Sequence, residues 1–175
     1  MSPAKRLSLL FSACALLAGG IVASEGWELV GYDDPVHKGA VPTACAGVTE
    51  NVRVGQVFTE EECVLRTAQA MVKHAAPIMK CVPDDITPEV LAVFADQSFN
   101  AGPASFCSSS MSRKAMAGDW QGSCDAFLMW YRSGPADCRT DRRCRGLWTR
   151  RQKQRADCLK GAGLPVTPVP AWALK

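Results

Sequence analysis

Residues 25–34 read EGWELVGYDD and begin where an uncharged run of 18 residues, Leu7 to Ser24, ends. Among the acidic residues of this stretch are Glu25 and Asp34, nine positions apart, and Val41-Pro42-Thr43 follow shortly after it. The first part is consistent with the end of a short helix, and the second with the start of a hairpin. This arrangement predicts two carboxylates that face each other across one small cleft.

The composition is that of an ordinary globular protein, with 47% hydrophobic and 21% charged residues. The 175 residues less the first 24 leave 151, enough for one domain, and there is no internal repeat. The net charge of +3 is unevenly spread, because nine Lys and Arg stand against two Asp in residues 139–160, a local +7. This basic segment favours anionic partners, namely nucleic acid, anionic lipid or an acidic wall polymer, or else it serves as a solvated helix face or in packing between lobes.

Nine cysteines are more than a cytosolic protein of this size usually carries, and eight of them follow the apolar run. No pair has the spacing of a zinc site, and the histidines are His37 and His74. We therefore expect disulfides formed in an oxidising compartment, with no metal and no cofactor. The first choice for a local bridge is Cys138 with Cys144, and the second is Cys45 with Cys63. Cys14 would remain unpaired, either as a thiol switch or as a passive small residue.

The N-terminal run has the features of an export signal. Lys5 and Arg6 precede it, which favours a cytoplasmic N-terminus, and half of the run consists of small residues. Three fates are open: cleavage near Val22-Ala23-Ser24, retention as an anchor, or a temporary signal that later leaves the membrane. Cleavage after Ser24 would give Glu25 a new α-amino group, whose positive charge lowers the pKa of a carboxyl. Since a general acid needs the opposite shift, we favour retention.

Beyond residue 30 the sequence predicts short strands with glycine turns up to residue 58, followed by helices. Thr59 and Glu62 form a capping box that opens a helix through about His74. Thr87 and Pro88 open a second helix that ends near Asn100. Further helices are predicted at about 104–117, 119–132 and 141–160. The tail from Gly161 is predicted to be irregular or mobile. The predicted class is α+β and mostly helical, with a small N-terminal hairpin region and a helical C-terminal lobe.

These residues resemble the phage-type lysozymes, or endolysins, over roughly residues 25–161. The motifs that carry the resemblance are residues 25–32 with Asp34-Pro35-Val36, then Val41-Pro42-Thr43, residues 55–63, residues 99–107, residues 116–120 with Trp130, and residues 149–155. The resemblance implies a lysozyme-like catalytic domain at 25–161, between an export segment at 1–24 and a proline-rich tail at 162–175. It also suggests the signal-arrest-release subgroup, whose N-terminal segment tethers the enzyme before release.

The family carries a Glu, Asp, Thr triad, which the resemblance assigns to Glu25, Asp34 and Thr43. Glu25 would protonate the glycosidic oxygen, while Asp34 and Thr43 would position the attacking water. The chain departs from the family in spacing, because Thr43 follows Asp34 by nine residues where most relatives have six. It also has Cys45-Ala46-Gly47-Val48 after the threonine. Two nearby acids, Glu28 and Asp33, match no motif.

The expected function is hydrolysis of the β-1,4 bond between N-acetylmuramic acid and N-acetylglucosamine in peptidoglycan, for host cell lysis. The alternatives are a lytic transglycosylase on the same fold and a non-enzymatic, disulfide-stapled wall-binding protein. We expect export to the bacterial periplasm with initial tethering to the inner membrane through residues 7–24. We expect peptidoglycan as the substrate, no nucleic-acid partner, and a monomer.

Overall fold

The computed structural model of the chain describes residues 2–25, 28–34 and 41–174, without the side chains of Pro3, Ala15, residues 17–25 and Asp34. The elements of this described part are, in order, α1 (Pro3–Glu25), β1 (Glu28–Asp34), β2 (Val41–Cys45), α2 (Glu60–Ala75), α3 (Pro88–Ala101), α4 (Pro103–Ser108), α5 (Ser110–Met116), α6 (Trp120–Asp125), β3 (Arg132–Ser133), β4 (Ala136–Asp137) and α7 (Arg145–Gly161). Short 3-10 helices lie at Ala76–Lys80, Ala126–Met129, Arg142–Cys144 and Ala171–Ala173. The predicted class, α+β and mostly helical, is confirmed.

Helix α1 contains the apolar run and ends at Glu25, as the sequence predicts. It packs against α2 and α3, and Ala13 and Cys14 are 0% and 7% exposed within the main hydrophobic core. Small side chains at these positions allow helix backbones to approach closely, as dense packing requires. Within the described ranges, no helix combines the length and apolar character needed to cross a membrane.

Strands β1 and β2 form an antiparallel hairpin. In its register Asp34 lies opposite Val41, and Tyr32 lies opposite Thr43. The ladder is irregular between Glu28 and Tyr32. The connection from residue 35 to residue 40, which belongs to the longer spacing between Asp34 and Thr43, lies outside the described residues.

The chain after β2 folds back along β1 and adds backbone hydrogen bonds to it. Gly31 donates to the carbonyl of Gln56 and accepts from the amide of Gly55, each at 2.8 Å. A Cβ atom on Gly31 would lie 2.2 Å from the carbonyl oxygen of Arg53, so this close approach requires glycine. The predicted region of short strands and glycine turns is thus one hairpin beside a packed loop.

The two helix starts predicted from capping motifs are confirmed. The amide of Glu62 donates to Thr59 Oγ1 at 3.2 Å, and the amide of Thr59 donates to Glu62 Oε2 at 2.9 Å. The amide of Val90 donates to Thr87 Oγ1 at 3.2 Å at the start of α3. Helices α2 and α3 therefore begin where their backbone amides find local acceptors.

The predicted helix at 104–117 is wrong as a single element, because Ser109 is extended and divides it into α4 and α5. The Ser109 hydroxyl donates to the carbonyl of Phe106 at 2.6 Å and accepts from the amide of Ser112 at 3.2 Å. The hydroxyl thus ends one helix and caps the next. The predicted helices at 119–132 and 141–160 are also shorter, since each includes a 3-10 turn.

Strands β3 and β4 form a second hairpin in the C-terminal lobe, which was not predicted from the sequence. Arg132 lies opposite Asp137, and Gly134 has a positive φ of 57° in the two-residue turn. Gly134-Pro135 is a turn signal that could have identified it.

Four disulfides join the eight cysteines beyond α1, and Cys14 is free and buried. The predicted pairs Cys138–Cys144 and Cys45–Cys63 are both present, together with Cys81–Cys107 and Cys124–Cys158. The main core lies in the helical lobe, where Phe94, Phe106 and Phe127 are fully buried. A smaller cluster of Ala44, Cys45, Val48, Val52, Phe58 and Cys63 fills the lobe of the first hairpin, the front lobe.

The proline-rich tail is irregular, as predicted, and it packs on the helical lobe. Arg155 donates to the carbonyl and the hydroxyl of Thr167 at 2.7 and 2.8 Å. Arg139 donates to the carbonyl of Ala173 at 3.3 Å, and Ala173 is buried. The sequence also allowed a mobile tail, and the contacts of Arg155 and Arg139 with the tail were not predicted.

Candidate active site

The backbone brings the three predicted catalytic positions to the ends of two elements and the middle of a third. Glu25 is the last residue of α1, Asp34 is the last residue of β1, and Thr43 is central in β2. Because Asp34 lies opposite Val41, two residues before Thr43, both positions belong to one face of the hairpin. Diagonal neighbours of this kind are about 7–8 Å apart. The side chains of Glu25 and Asp34 lie outside the described part.

The two acids that match no motif occupy different places. Asp33 lies opposite Pro42 in the register, so it belongs to the other face of the hairpin from Asp34. Glu28 lies opposite Cys45 at the start of β1 and is exposed. Both residues are suitable controls for the role of their neighbours.

Thr43 is buried, with 3% of its surface exposed. Its Oγ1 donates to the carbonyl of Val41 at 2.9 Å, so the hydroxyl hydrogen is committed to its own strand. A hydroxyl has one donor and two acceptor lone pairs. In this orientation the remaining hydrogen-bonding capacity of the Thr43 hydroxyl is that of an acceptor.

A groove of about 1340 Å³ runs between α1, α3 and α7. Leu16 of α1 forms part of one wall, while Asp96 and Asn100 of α3 and Arg150 of α7 lie on the others. The groove exceeds the ~300–1,000 Å³ typical of small-molecule pockets. Its described lining residues come from α1, α3, α7 and the chain just after α7 rather than from the hairpin that carries Thr43.

The wall between α3 and α7 is held by one carboxylate. Asp96 Oδ1 accepts from Arg150 Nη2 at 2.6 Å, and its Oδ2 accepts from Gln154 Nε2. This contact was not predicted from the sequence. The signal was present as helical spacing, since Asp96 and Asn100 are four residues apart on α3, as are Arg150 and Gln154 on α7.

Four of the nine basic residues in the segment 139–160 make internal contacts, namely Arg139, Arg150, Arg151 and Arg155, while the other five are exposed. Arg151 is buried and donates to the carbonyl of Trp130 at 3.1 Å and to Gln154 Oε1 at 2.6 Å. Burial, followed by the charge of Arg150, lowers the pKa of Arg151 to about 10, while Asp96 acts in the opposite direction. Arg155 is also buried and pairs with Asp125. Packing between elements therefore explains these arginines better than a face for anionic partners.

Comparison with known proteins adds independent information. The family model described as phage lysozyme matches residues 22–154. A SAR-endolysin of Bacteriophage PS119 is 29% identical over 173 residues, covering 92% of this chain and 98% of that protein. A SAR-endolysin of Enterobacteria phage P21 is 27% identical over 166 residues, covering 88% and 97%. The solved endolysin from Escherichia coli O157:H7 phage FAHEc1 superposes with a TM-score of 0.70 at 21% identity, covering 86% of this chain and 94% of that one.

Proposed function

The chain belongs to the phage lysozyme family, and from that premise we propose that Glu25, Asp34 and Thr43 carry out its reaction. The protein is an endolysin, a glycoside hydrolase that cleaves the β-1,4 bond between N-acetylmuramic acid and N-acetylglucosamine in peptidoglycan. The three residues are the acidic and hydroxyl groups that the sequence motifs single out, and their positions in the fold suit three different tasks.

Glu25 is the general acid that protonates the leaving glycosidic oxygen. Its position at the last residue of α1 supports this role, because the partial negative charge at the C-terminus of a helix disfavours the ionised form of a carboxyl. A general acid has to hold its proton until the bond breaks.

Asp34 and Thr43 hold the attacking water from one face of the hairpin. The Thr43 hydroxyl donates to Val41, so the water donates one hydrogen to Thr43 and the other to the carboxylate of Asp34. Both water hydrogens are then engaged, and a lone pair of the water oxygen is directed at the anomeric carbon. As the oxygen bonds to that carbon and the glycosidic bond breaks, the proton lost by the water passes to the Asp34 carboxylate. A water placed in this way attacks opposite to the leaving group, so the reaction inverts the configuration.

Positioning of the water relative to the glycosidic bond supplies part of the rate enhancement, because groups held in the reactive geometry avoid the entropic cost of an encounter.

The single observation that carries the proposal is the buried Thr43 hydroxyl, fixed by Val41 on the same face as Asp34. We expect Glu25→Gln and Asp34→Asn to lower kcat by roughly a hundredfold to ten-thousandfold on purified peptidoglycan. The matched controls Glu28→Gln and Asp33→Asn change the neighbouring acids and retain activity. Equal losses in a control and its partner would contradict the assignment.

Analysis of the released glycans tests the reaction type. Hydrolysis leaves reducing ends, and inversion gives the α-anomer first. Anhydro-muramic ends together with an active Asp34→Asn variant would instead identify a lytic transglycosylase. Retained lysis by Glu25→Gln would support the non-enzymatic wall-binding alternative.

The enzyme is exported to the periplasm as a monomer, with residues 7–24 first in the inner membrane and later packed in the domain. The burial of Ala13 and Cys14 in the core supports this order, since one helix cannot occupy the bilayer and the core together. Mass spectrometry of membrane and soluble envelope fractions should find the intact N-terminus in both. A mature chain that begins at or after Ala23 would contradict release, and light scattering of the soluble form tests the monomer.

A further inference from the structure

Strand β2, which carries Thr43, ends in an unusual backbone conformation. Cys45 is two residues beyond Thr43 and has a φ of 56°, in the left-handed region that residues with a side chain rarely adopt. Such a conformation persists only where the surrounding structure enforces it, and it is found preferentially near functional sites. Cys45 is also buried, so its side chain is held within the front lobe.

One constraint on this position is covalent. Cys45 is bonded to Cys63, with 5.0 Å between the Cα atoms. Cys63 is fully buried in the first turns of α2, directly after the capping box of Thr59 and Glu62. The disulfide therefore connects the end of β2 to the capped and rigid start of a helix.

At the end of β2, Cys45 lies opposite Glu28 of β1 in the register. Ala44 and Val48 exchange two backbone hydrogen bonds of 2.9 Å across the turn that follows Cys45. The hydrophobic cluster of the front lobe contains six buried residues, and Cys45 and Cys63 are two of them. A two-stranded hairpin with so small a core is marginally stable by itself, so the disulfide replaces packing that a larger lobe would supply.

We propose that the Cys45–Cys63 disulfide is a positioning element of the active site, which holds the Thr43 hydroxyl where it binds the attacking water. This inference rests on the proposed role of Thr43. The disulfide touches neither the substrate nor the water, and it acts by restricting where β2 can move relative to α2. Errors of about 1 Å in the position of a catalytic group can reduce a rate by roughly a hundredfold.

The first test removes the Cys45–Cys63 disulfide and, in a separate control variant, a disulfide of similar sequence separation elsewhere in the chain. Cys45→Ala/Cys63→Ala and Cys81→Ala/Cys107→Ala remove bridges with sequence separations of 18 and 26, so the two losses of unfolded-state constraint are similar. Measured on peptidoglycan well below each unfolding temperature, the first variant should lose about tenfold to a hundredfold in kcat with KM nearly unchanged. The control variant should keep its kcat. Equal kcat values for the two variants would overturn the proposal.

A second variant separates position from stability. Glycine adopts a positive φ without strain, so Cys45→Gly/Cys63→Ala should unfold at a higher temperature than Cys45→Ala/Cys63→Ala. Its kcat should remain as low, because the tether is still missing. Recovery of kcat together with stability would show that the bond acts only on folding.

The third test asks whether the disulfide acts through Thr43. If it does, adding Cys45→Ala/Cys63→Ala to Thr43→Ala has almost no further effect on the residual kcat, whereas independent effects multiply. A fully active Thr43→Ala enzyme would refute the proposed function of Thr43. An inactive Thr43→Ala enzyme whose effect multiplies with that of the disulfide would refute the positioning role alone.

Discussion

Arg155 and Asp125 form a nearly buried ion pair, in which Arg155 Nε donates to Asp125 Oδ1 at 2.6 Å. The same guanidinium donates to Thr167 in the tail, so one arginine of α7 joins the end of α6 to the C-terminal segment. The pair therefore holds together three separate parts of the helical lobe.

Replacement of this arginine should be among the most destabilising single changes in the helical lobe. Arg155→Ala leaves Asp125 without its cation, and loss of one partner of a buried pair costs about 3–5 kcal/mol. Arg143→Ala is the control, because Arg143 is exposed beside Asp141 and such surface pairs contribute about 0–1 kcal/mol. Urea unfolding of both variants measures the difference, and similar free energies of unfolding would contradict this description of the lobe.

Gly31 should tolerate no side chain. Gly31→Ala places a Cβ atom against the carbonyl of Arg53, and such overpacking typically costs about 1–3 kcal/mol. The matched change is Gly146→Ala in α7, where a Cβ atom meets nothing within 4 Å and a helical alanine should stabilise by about 0.5–1 kcal/mol. Thermal unfolding should therefore shift in opposite directions for the two variants, and a neutral Gly31→Ala would argue against the close approach of this loop to β1.

His74 should make the fold less stable in mild acid. Burial and then the charge of Lys73 hold the pKa of His74 below its ordinary value of 6.5. As the pH falls through 6.5 the unfolded chain binds a proton that the folded chain resists, so the free energy of unfolding decreases. Urea titrations at several pH values between 7.5 and 5.5 measure this slope. His74→Gln should have a flatter slope, and an unchanged slope would show that His74 does not contribute.

The Asp137–Arg139 pair should lose its contribution to the stability of the fold in strong acid. The hydrogen bonds from Arg139 lower the pKa of the Asp137 carboxyl to about 2, from an ordinary value of 3.8. Stability from this pair is therefore complete above about pH 4 and is lost as the pH falls through about 2. NMR titration of the side-chain carboxyl should give the low pKa in the native protein and a value near 3.8 in Arg139→Ala. A low pKa that survives in Arg139→Ala would refute the role of the arginine.

The sequence predicted features that are encoded locally. Three kinds of feature depend on residues that are close together in the sequence. They are the helix caps at Thr59 and Thr87, the end of α1 at Glu25, and the two disulfides with the smallest sequence separation. The family motifs added the order of the elements. The fold class therefore followed from capping, spacing and resemblance together.

Features set by contacts between distant elements were not predictable in the same way. Arg151 and Arg155 make buried contacts because α7 packs against Trp130, Asp125 and the tail. The composition of the sequence shows only that this segment is basic. The break at Ser109 depends on one hydroxyl that caps in both directions, which apolar periodicity does not register. The positive φ of Cys45 depends on the structure around the end of β2, and no sequence motif reveals it.

The packing of α1 has a practical consequence for recombinant production. Residues 1–24 have the appearance of a leader that can be trimmed from an expressed gene. They nevertheless supply Ala13 and Cys14 to the main core, between α2 and α3. A shortened polypeptide would expose the apolar faces of both helices to water, and it should accumulate as insoluble aggregate rather than as a ready-made enzyme.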